Sequence, residues 1–128
     1  MAGFERIHSG APWETQVGSC RAVRAEGRVF VSGTAPVEPD GSVTAPGDGY
    51  RQALRCLAIV HEALARLGVG MERVTRTRMF VTDIDRWAEF GRAHADVFGE
   101  HPPATTMVEV RRLIHPDMLI EIEADAVE

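Results

Sequence analysis

Three carboxylates stand at alternate positions near the end of the chain, Glu121, Glu123 and Asp125, interleaved with Ile120, Ile122, Ala124 and Ala126. Apolar and acidic residues alternating with period two describe a half-buried strand, which sets the acids about 7 Å apart along one face. Like charges in such a row repel and raise one another's pKa values unless water or cations lie against them. Either the face is solvated and paired with arginines, or one of the carboxylates belongs to a site. A paired-carboxylate site built from Glu109 and Glu121 is a further arrangement open to these acids.

Other chemistries are narrowed by what the sequence lacks. All 14 residues in the Lys+Arg count are arginine, so no lysine can form a Schiff base or serve as a low-pKa amine. There is no glycine-rich phosphate loop, no G-x-S-x-G elbow and no H-E-x-x-H. The 5 histidines, His8, His61, His94, His101 and His115, include no i, i+4 pair for a helical metal site. The 2 cysteines, Cys20 and Cys56, are too few for a disulfide framework or a zinc site and read as free thiols. Neither a cofactor nor a metal is expected.

The elements that must position the acids follow from periodicity. Phe4 to Ile7 reads as a short edge strand, ended by the turn chemistry of Ser9-Gly10-Ala11-Pro12, with Trp13 in the loop beyond as a lid, an interface anchor or a ligand wall. Arg21 to Arg24 and Arg28 to Val31 read as a hairpin turning at Glu26-Gly27 and running into Ser32-Gly33. A long Pro- and Gly-rich loop follows, from Pro36 to Gly49. From Tyr50 to Leu67 the period becomes helical, with Ala53, Leu54, Leu57, Val60, Leu64 and Leu67 on one face, His61 within that stripe, Asp48 as N-cap and Gly68 just past the end.

Arg73 to Thr82 reads as a strand with Arg76, Arg78 and Phe80 on one face and Thr75, Thr77, Met79 and Val81 on the other. Set beside the acidic strand with matching parity, Arg76 and Arg78 would pair with its carboxylates, each pair contributing roughly 0.2–1 kcal/mol. A second helix is predicted from Ile84 to about Phe98, capped by Asp83 or Asp85, burying Trp87, Phe90, Ala93, His94 and Val97, and ended by Gly99. Pro102 to Val110 and Leu119 to Val127 close the chain as two strands. The order implies one α+β domain over residues 1–128, a mixed sheet of about six strands with two helices on one face.

Composition agrees with one folded domain: 45% hydrophobic and 26% charged over 128 residues. A net charge of -5 and the lack of a basic patch argue against nucleic acid or anionic membrane as partners. No apolar run approaches the ~20 residues of a membrane span, and the first residues lack a basic start followed by an apolar stretch, so a cytoplasmic location is expected.

Taken together, Arg21-Ala22-Val23 leading to Val29-Phe30-Val31-Ser32-Gly33, Met79-Phe80-Val81-Thr82-Asp83, Pro103-Ala104 with Val108-Glu109-Val110, and Ile120-Glu121-Ile122-Glu123-Ala124 resemble the Rid family of reactive intermediate deaminases, also called YjgF. The resemblance covers nearly the whole chain. It implies a chorismate-mutase-like fold, a homotrimer, and small-molecule clefts between subunits where enamines and imines are hydrolysed. It further implies that Glu121 orients or deprotonates water, with Thr105, Met107 and Ser32-Gly33 lining the cleft. The family's substrate-gripping arginine falls on Thr105, its tyrosine on Ser19 and its second-helix asparagine on Gly91, a pattern resembling the subfamilies that lack the arginine. A hydroxyl does not replace a charged bidentate fork, so a 2-imino acid held by its carboxylate is not the expected substrate. Arg78 is a candidate replacement cation, or simply the ion-pair partner of Glu121 or Glu123.

Overall fold

Strands form where apolar residues alternate, and two long amphipathic stretches supply the cover that a one-sided sheet needs. The computed structural model describes residues 3–128. Its elements are β1 (Glu5–Ile7), α1 (Pro12–Val17), β2 (Ala22–Ala25), β3 (Arg28–Thr34), α2 (Gly49–Arg66), β4 (Val74–Val81), α3 (Trp87–Phe98), β5 (Ala104–Glu109) and β6 (Ile120–Val127), with 3-10 turns over Met71–Arg73 and Ile84–Arg86. The 6 strands make one mixed sheet in the order β1-β2-β3-β6-β4-β5. Every neighbouring pair is antiparallel except β4 with β5. That parallel pair needs a crossover, which α3 provides.

The inward face is apolar by the parity of each strand: Ala22, Val29, Val31, Met79, Val81, Ile120, Ile122, Ala124 and Ala126 are all buried. Helix α2 lies across β3 and β6 and packs beside α3. It buries Ala53, Leu57, Val60 and Leu64, and α3 adds Phe90, Ala93 and Phe98. Fully burying each large apolar side chain contributes about 1.5–3 kcal/mol. Asp48 caps α2 by accepting from the Arg51 N–H at 3.0 Å, and Gly68 follows in the left-handed region at φ 73. Thr34, Thr77 and Gln52 are polar side chains buried completely. The buried Gln52 donates to the Asp117 carbonyl at 2.8 Å and accepts from the Leu119 N–H at 2.8 Å, tying the segment before β6 to α2.

Several expectations need correction. Trp13 lies in a helix, because Pro12 occupies the first turn of α1 and Gly18 ends it in the left-handed region; the described residues form three α-helices where two were expected. His61 is exposed, since the sheet covers a narrower stripe of α2 than the sequence pattern spans. Trp87 and Val97 are 61% and 37% exposed, because only the Phe90–Ala93 side of α3 meets the core. The predicted helix from Ile84 begins as a 3-10 turn in which Asp83 accepts from the Asp85 N–H at 3.0 Å. Among the described residues no helix is long and apolar enough to cross a membrane.

Candidate functional site

Ser32 and Gly33 sit in a bulge. Val31 pairs with Ala124 and Thr34 with Ile122, so β3 carries one more residue than β6 across this interval, and the bulge turns Ser32 and Gly33 both outward. Arg21 pins it. Its Nη2 donates to the Ser32 carbonyl at 2.6 Å, the Gly33 carbonyl at 2.9 Å and Thr34 Oγ1 at 2.8 Å. The Arg21 Nε–H is buried and has no partner. Burial lowers the Arg21 pKa, while the Glu14 and Glu121 carboxylates act the other way.

Glu121 projects from β6 against this bulge. A Cβ placed on Gly33 would lie 2.7 Å from Glu121 Oε2 and 3.2 Å from its Cδ, so the missing side chain is the space the carboxylate occupies. Burial raises the Glu121 pKa, opposed by Arg21 and reinforced by Glu123. A carboxyl of raised proton affinity at an accessible surface is suited to receive a proton. The rest of the acidic row is neutralised differently. Arg78 reaches Glu123 at 3.3 Å and Asp125 at 3.5 Å, whereas Arg76, paired in register with Asp125, makes no ion pair among the described residues. Arg78 therefore engages Glu123 and Asp125, one and two pleats beyond Glu121.

Thr105 and Met107 belong to a different surface. Thr105 is in register with the inward-facing Thr77 of β4, and Thr77 Oγ1 bonds Thr105 Oγ1 at 2.7 Å. Glu121 is in register with the outward-facing Phe80. Within one chain the two groups thus lie on opposite faces of the sheet. Thr105 and Met107 border a mostly apolar cleft of about 390 Å³ between β5 and α3, shared with Gly91, His94, Phe98 and Pro103. His94 Nε2 lies 2.8 Å from Thr77 Oγ1, and burial lowers its pKa. Thr105, Thr77 and His94 are consequently linked by two consecutive hydrogen bonds.

Trp13, 46% exposed, borders a second cleft of about 650 Å³ with Arg21, Val37, Arg55 and Ile59. Ser19 is exposed at the end of α1. Cys56 is buried, which pushes its thiol pKa up and makes it a packing group. Glu109 accepts from the Ile84 N–H at 3.0 Å and serves the β4–α3 junction. No cluster of three or more His, Cys, Asp or Glu among the described residues could hold a metal.

Two features are missing from a reading by sequence pattern: the hold of Arg21 on the bulge and the link from Thr105 to His94. Arg21 had one signal, a cation next to the inward Ala22 at the start of the hairpin whose second strand runs into Ser32-Gly33. The threonine–histidine link had none, since its members come from three separate elements.

A family model described as Endoribonuclease L-PSP matches residues 13–128. The crystal structure of Rv2704 from Mycobacterium tuberculosis, described as a member of the YjgF/YER057c/UK114 family, aligns with a TM-score of 0.88 at 41% identity, covering 98% of this chain and 100% of that one. Protein SCO2049 of Streptomyces coelicolor is 36% identical over 121 residues, 94% of this chain and 90% of the relative. The 3-aminoacrylate deaminase RutC of Acinetobacter baylyi is 31% identical over 105 residues, 82% of each chain.

Proposed function

The chain belongs to the YjgF/Rid family, and from that premise we propose that it hydrolyses the C=N bond of a small imine or enamine, with Glu121 orienting or deprotonating the attacking water. The observation that carries this reading is the seat of Glu121, a carboxylate of raised proton affinity fitted into the space a side chain on Gly33 would fill. Because Glu121 and Thr105 occupy opposite sheet faces, a reaction cleft containing both needs two copies of the chain. A homotrimer supplies it, with Ser32, Gly33 and Glu121 from one copy facing Thr105 and Met107 of the next.

The substrate differs from that of an arginine-bearing relative. A RutC named as a 3-aminoacrylate deaminase acts on a molecule with a carboxylate beside its enamine. Here the corresponding position is Thr105 in a mostly apolar cleft, and Arg78 is engaged by Glu123 and Asp125. An imine that carries no carboxylate fits this lining better than a 2-imino acid. RNA cleavage, the activity in the family model's description, is not carried over: the net charge is -5 and the face around Glu121 is acidic.

The test is ammonia release from imines generated in situ by oxidation of primary amines, with alanine and leucine imines for comparison. Turnover of the imines without a carboxylate, lost in Glu121→Gln, is expected. Activity that survives Glu121→Gln refutes the role given to that carboxylate. Among the described residues no arginine lines the cleft beside Thr105, which favours one second reading, a trimer that binds a small ligand without turnover. Saturable binding of the imine's carbonyl product without ammonia release would favour it.

A further inference from the structure

We propose that Thr105, Thr77 and His94 form a proton relay, in which the Thr105 hydroxyl exchanges a proton with the reacting molecule and His94 holds it between the two halves of the reaction. This rests on the reading of the cleft beside Thr105 as the place of hydrolysis. The geometry is continuous, with 2.7 Å from Thr105 Oγ1 to Thr77 Oγ1 and 2.8 Å from Thr77 Oγ1 to His94 Nε2. Each hydroxyl carries one proton and two lone pairs, so each can receive a proton from one neighbour while passing its own to the other. Thr77 is fully buried, at 0% exposure, so no water substitutes for it as the middle member. Thr105 is exposed at the cleft, where a substrate can reach it.

His94 is suited to the far end. The Phe98 ring, its centroid 4.6 Å away, packs against the imidazole, and burial favours the neutral ring over the imidazolium. With the ring proton on Nδ1, the Nε2 lone pair is a base directed at Thr77, and the Thr77 hydroxyl, which at rest donates to Thr105 Oγ1, turns to donate to Nε2 as it accepts the Thr105 proton. A threonine where an arginine would grip a carboxylate then has a positive role: it exchanges an anion clamp for a path along which a proton can leave and return.

The step balances for the protonated imine. The water oxygen bonds to the carbon of C=NH2⁺ as the C=N pair moves to nitrogen. One water proton passes to Thr105 Oγ1, the Thr105 proton to Thr77, and the Thr77 proton to His94 Nε2, leaving a neutral carbinolamine and an imidazolium. The proton then returns by the same path to nitrogen. The C–N bond breaks, the carbinolamine O–H pair forms C=O, and its proton leaves with nitrogen as ammonium. Imidazole, both hydroxyls and the chain's net charge are restored. Glu121 orients the water, Thr105 is the catalytic residue, and Thr77 and His94 act through it.

The experiment compares wild-type protein with Thr77→Val, Thr77→Ser, Thr105→Val and Thr105→Ser in the ammonia-release assay on an imine formed from benzylamine. It also records the ¹⁵N resonance of His94 Nε2 in each. Thr77→Val keeps the shape and removes the hydroxyl. It is expected to lower kcat about 10²-fold, the ordinary worth of positioned proton transfer, with KM within about twofold, whereas Thr77→Ser retains most of kcat. Thr105→Val is expected to move the His94 Nε2 resonance although the two residues are joined only through Thr77 in the hydrogen bonds described, and Thr105→Ser to leave it near its wild-type position. Wild-type kcat in Thr77→Val overturns the relay, as does a His94 resonance unmoved by Thr105→Val. A wild-type protein that releases no ammonia from any imine refutes the hydrolase reading instead, and the resonance alone then decides whether the three groups are coupled.

Discussion

Replacing Gly33 by alanine separates the position of Glu121 from its presence. The added methyl carbon would lie 2.7 Å from Glu121 Oε2, 3.2 Å from Cδ and 3.6 Å from Cγ. An unbonded carbon and oxygen sit at about 3.4 Å or more, so the carboxylate must withdraw by roughly 0.7 Å. The backbone need not move, because Gly33 does not occupy the left-handed region and the obstructing atoms are the far end of a flexible side chain. Stability should therefore change by no more than about 1 kcal/mol, within the range of surface substitutions that a rotamer change relieves. Catalysis should suffer more, because a 1 Å misplacement of a positioning group can cost about 10²-fold. The expected result is a fall of roughly 10- to 100-fold in kcat/KM for imine hydrolysis, with a urea midpoint close to wild type and the same sedimentation coefficient. Glu121→Gln marks the floor, since it keeps the shape and removes the carboxylate that holds the water. Full activity in Gly33→Ala would refute the claim that the bulge exists to seat this carboxylate. A large drop in stability would show that Glu121 has nowhere else to go.

Thr105→Arg should lower KM for alanine and leucine imines by about one to two orders of magnitude, from the roughly 1.5–3 kcal/mol of a charged hydrogen bond to the substrate carboxylate, while kcat falls with the loss of the Thr105 hydroxyl; ammonia release from the single variant and from Thr105→Arg with Glu121→Ala checks it, the double variant being expected to be inactive. Burial raises the Glu121 pKa, so the folded state binds this proton more tightly than the unfolded chain. The contribution of Glu121 to stability is then greatest below the unfolded carboxyl pKa and falls as pH rises through the folded one. Urea midpoints should accordingly move in favour of Glu121→Gln relative to wild type as pH goes from about 4 upward, and the opposite slope would contradict the shift. Gly91→Ala should stabilise α3 by about 0.5–1 kcal/mol, because the new methyl carbon meets the Trp87 ring at an ordinary 3.7 Å, and its denaturant midpoint reports the gain.

What the sequence made legible and what it did not divide along a physical line. Parity is local, so the outward Glu121, Glu123 and Asp125, the inward Ile120 and Ile122, and the sharing of the outward face by Arg78 all followed from period two alone. Helix α2 followed from its stripe and from Asp48. Helix α1 was legible too, in Pro12 at its start and Gly18 past its end, but a helix of 6 residues shows too little periodicity to outweigh the turn residues before it. The bulge could not be read, because Ser32 and Gly33 look like the end of a strand until β6 is laid beside them. The same holds for Thr77, which reads as one polar residue on an apolar face. Its reason for being there lies on β5 and α3, in Thr105 and His94. A buried hydroxyl between two polar partners keeps its desolvation cost small only while both remain. Thr105 and Glu121, 16 positions apart on adjacent segments of the sequence, read as neighbours in a motif but face opposite ways across the sheet. In the proposed cleft they would meet only across two copies of the chain, which no periodicity within one chain encodes.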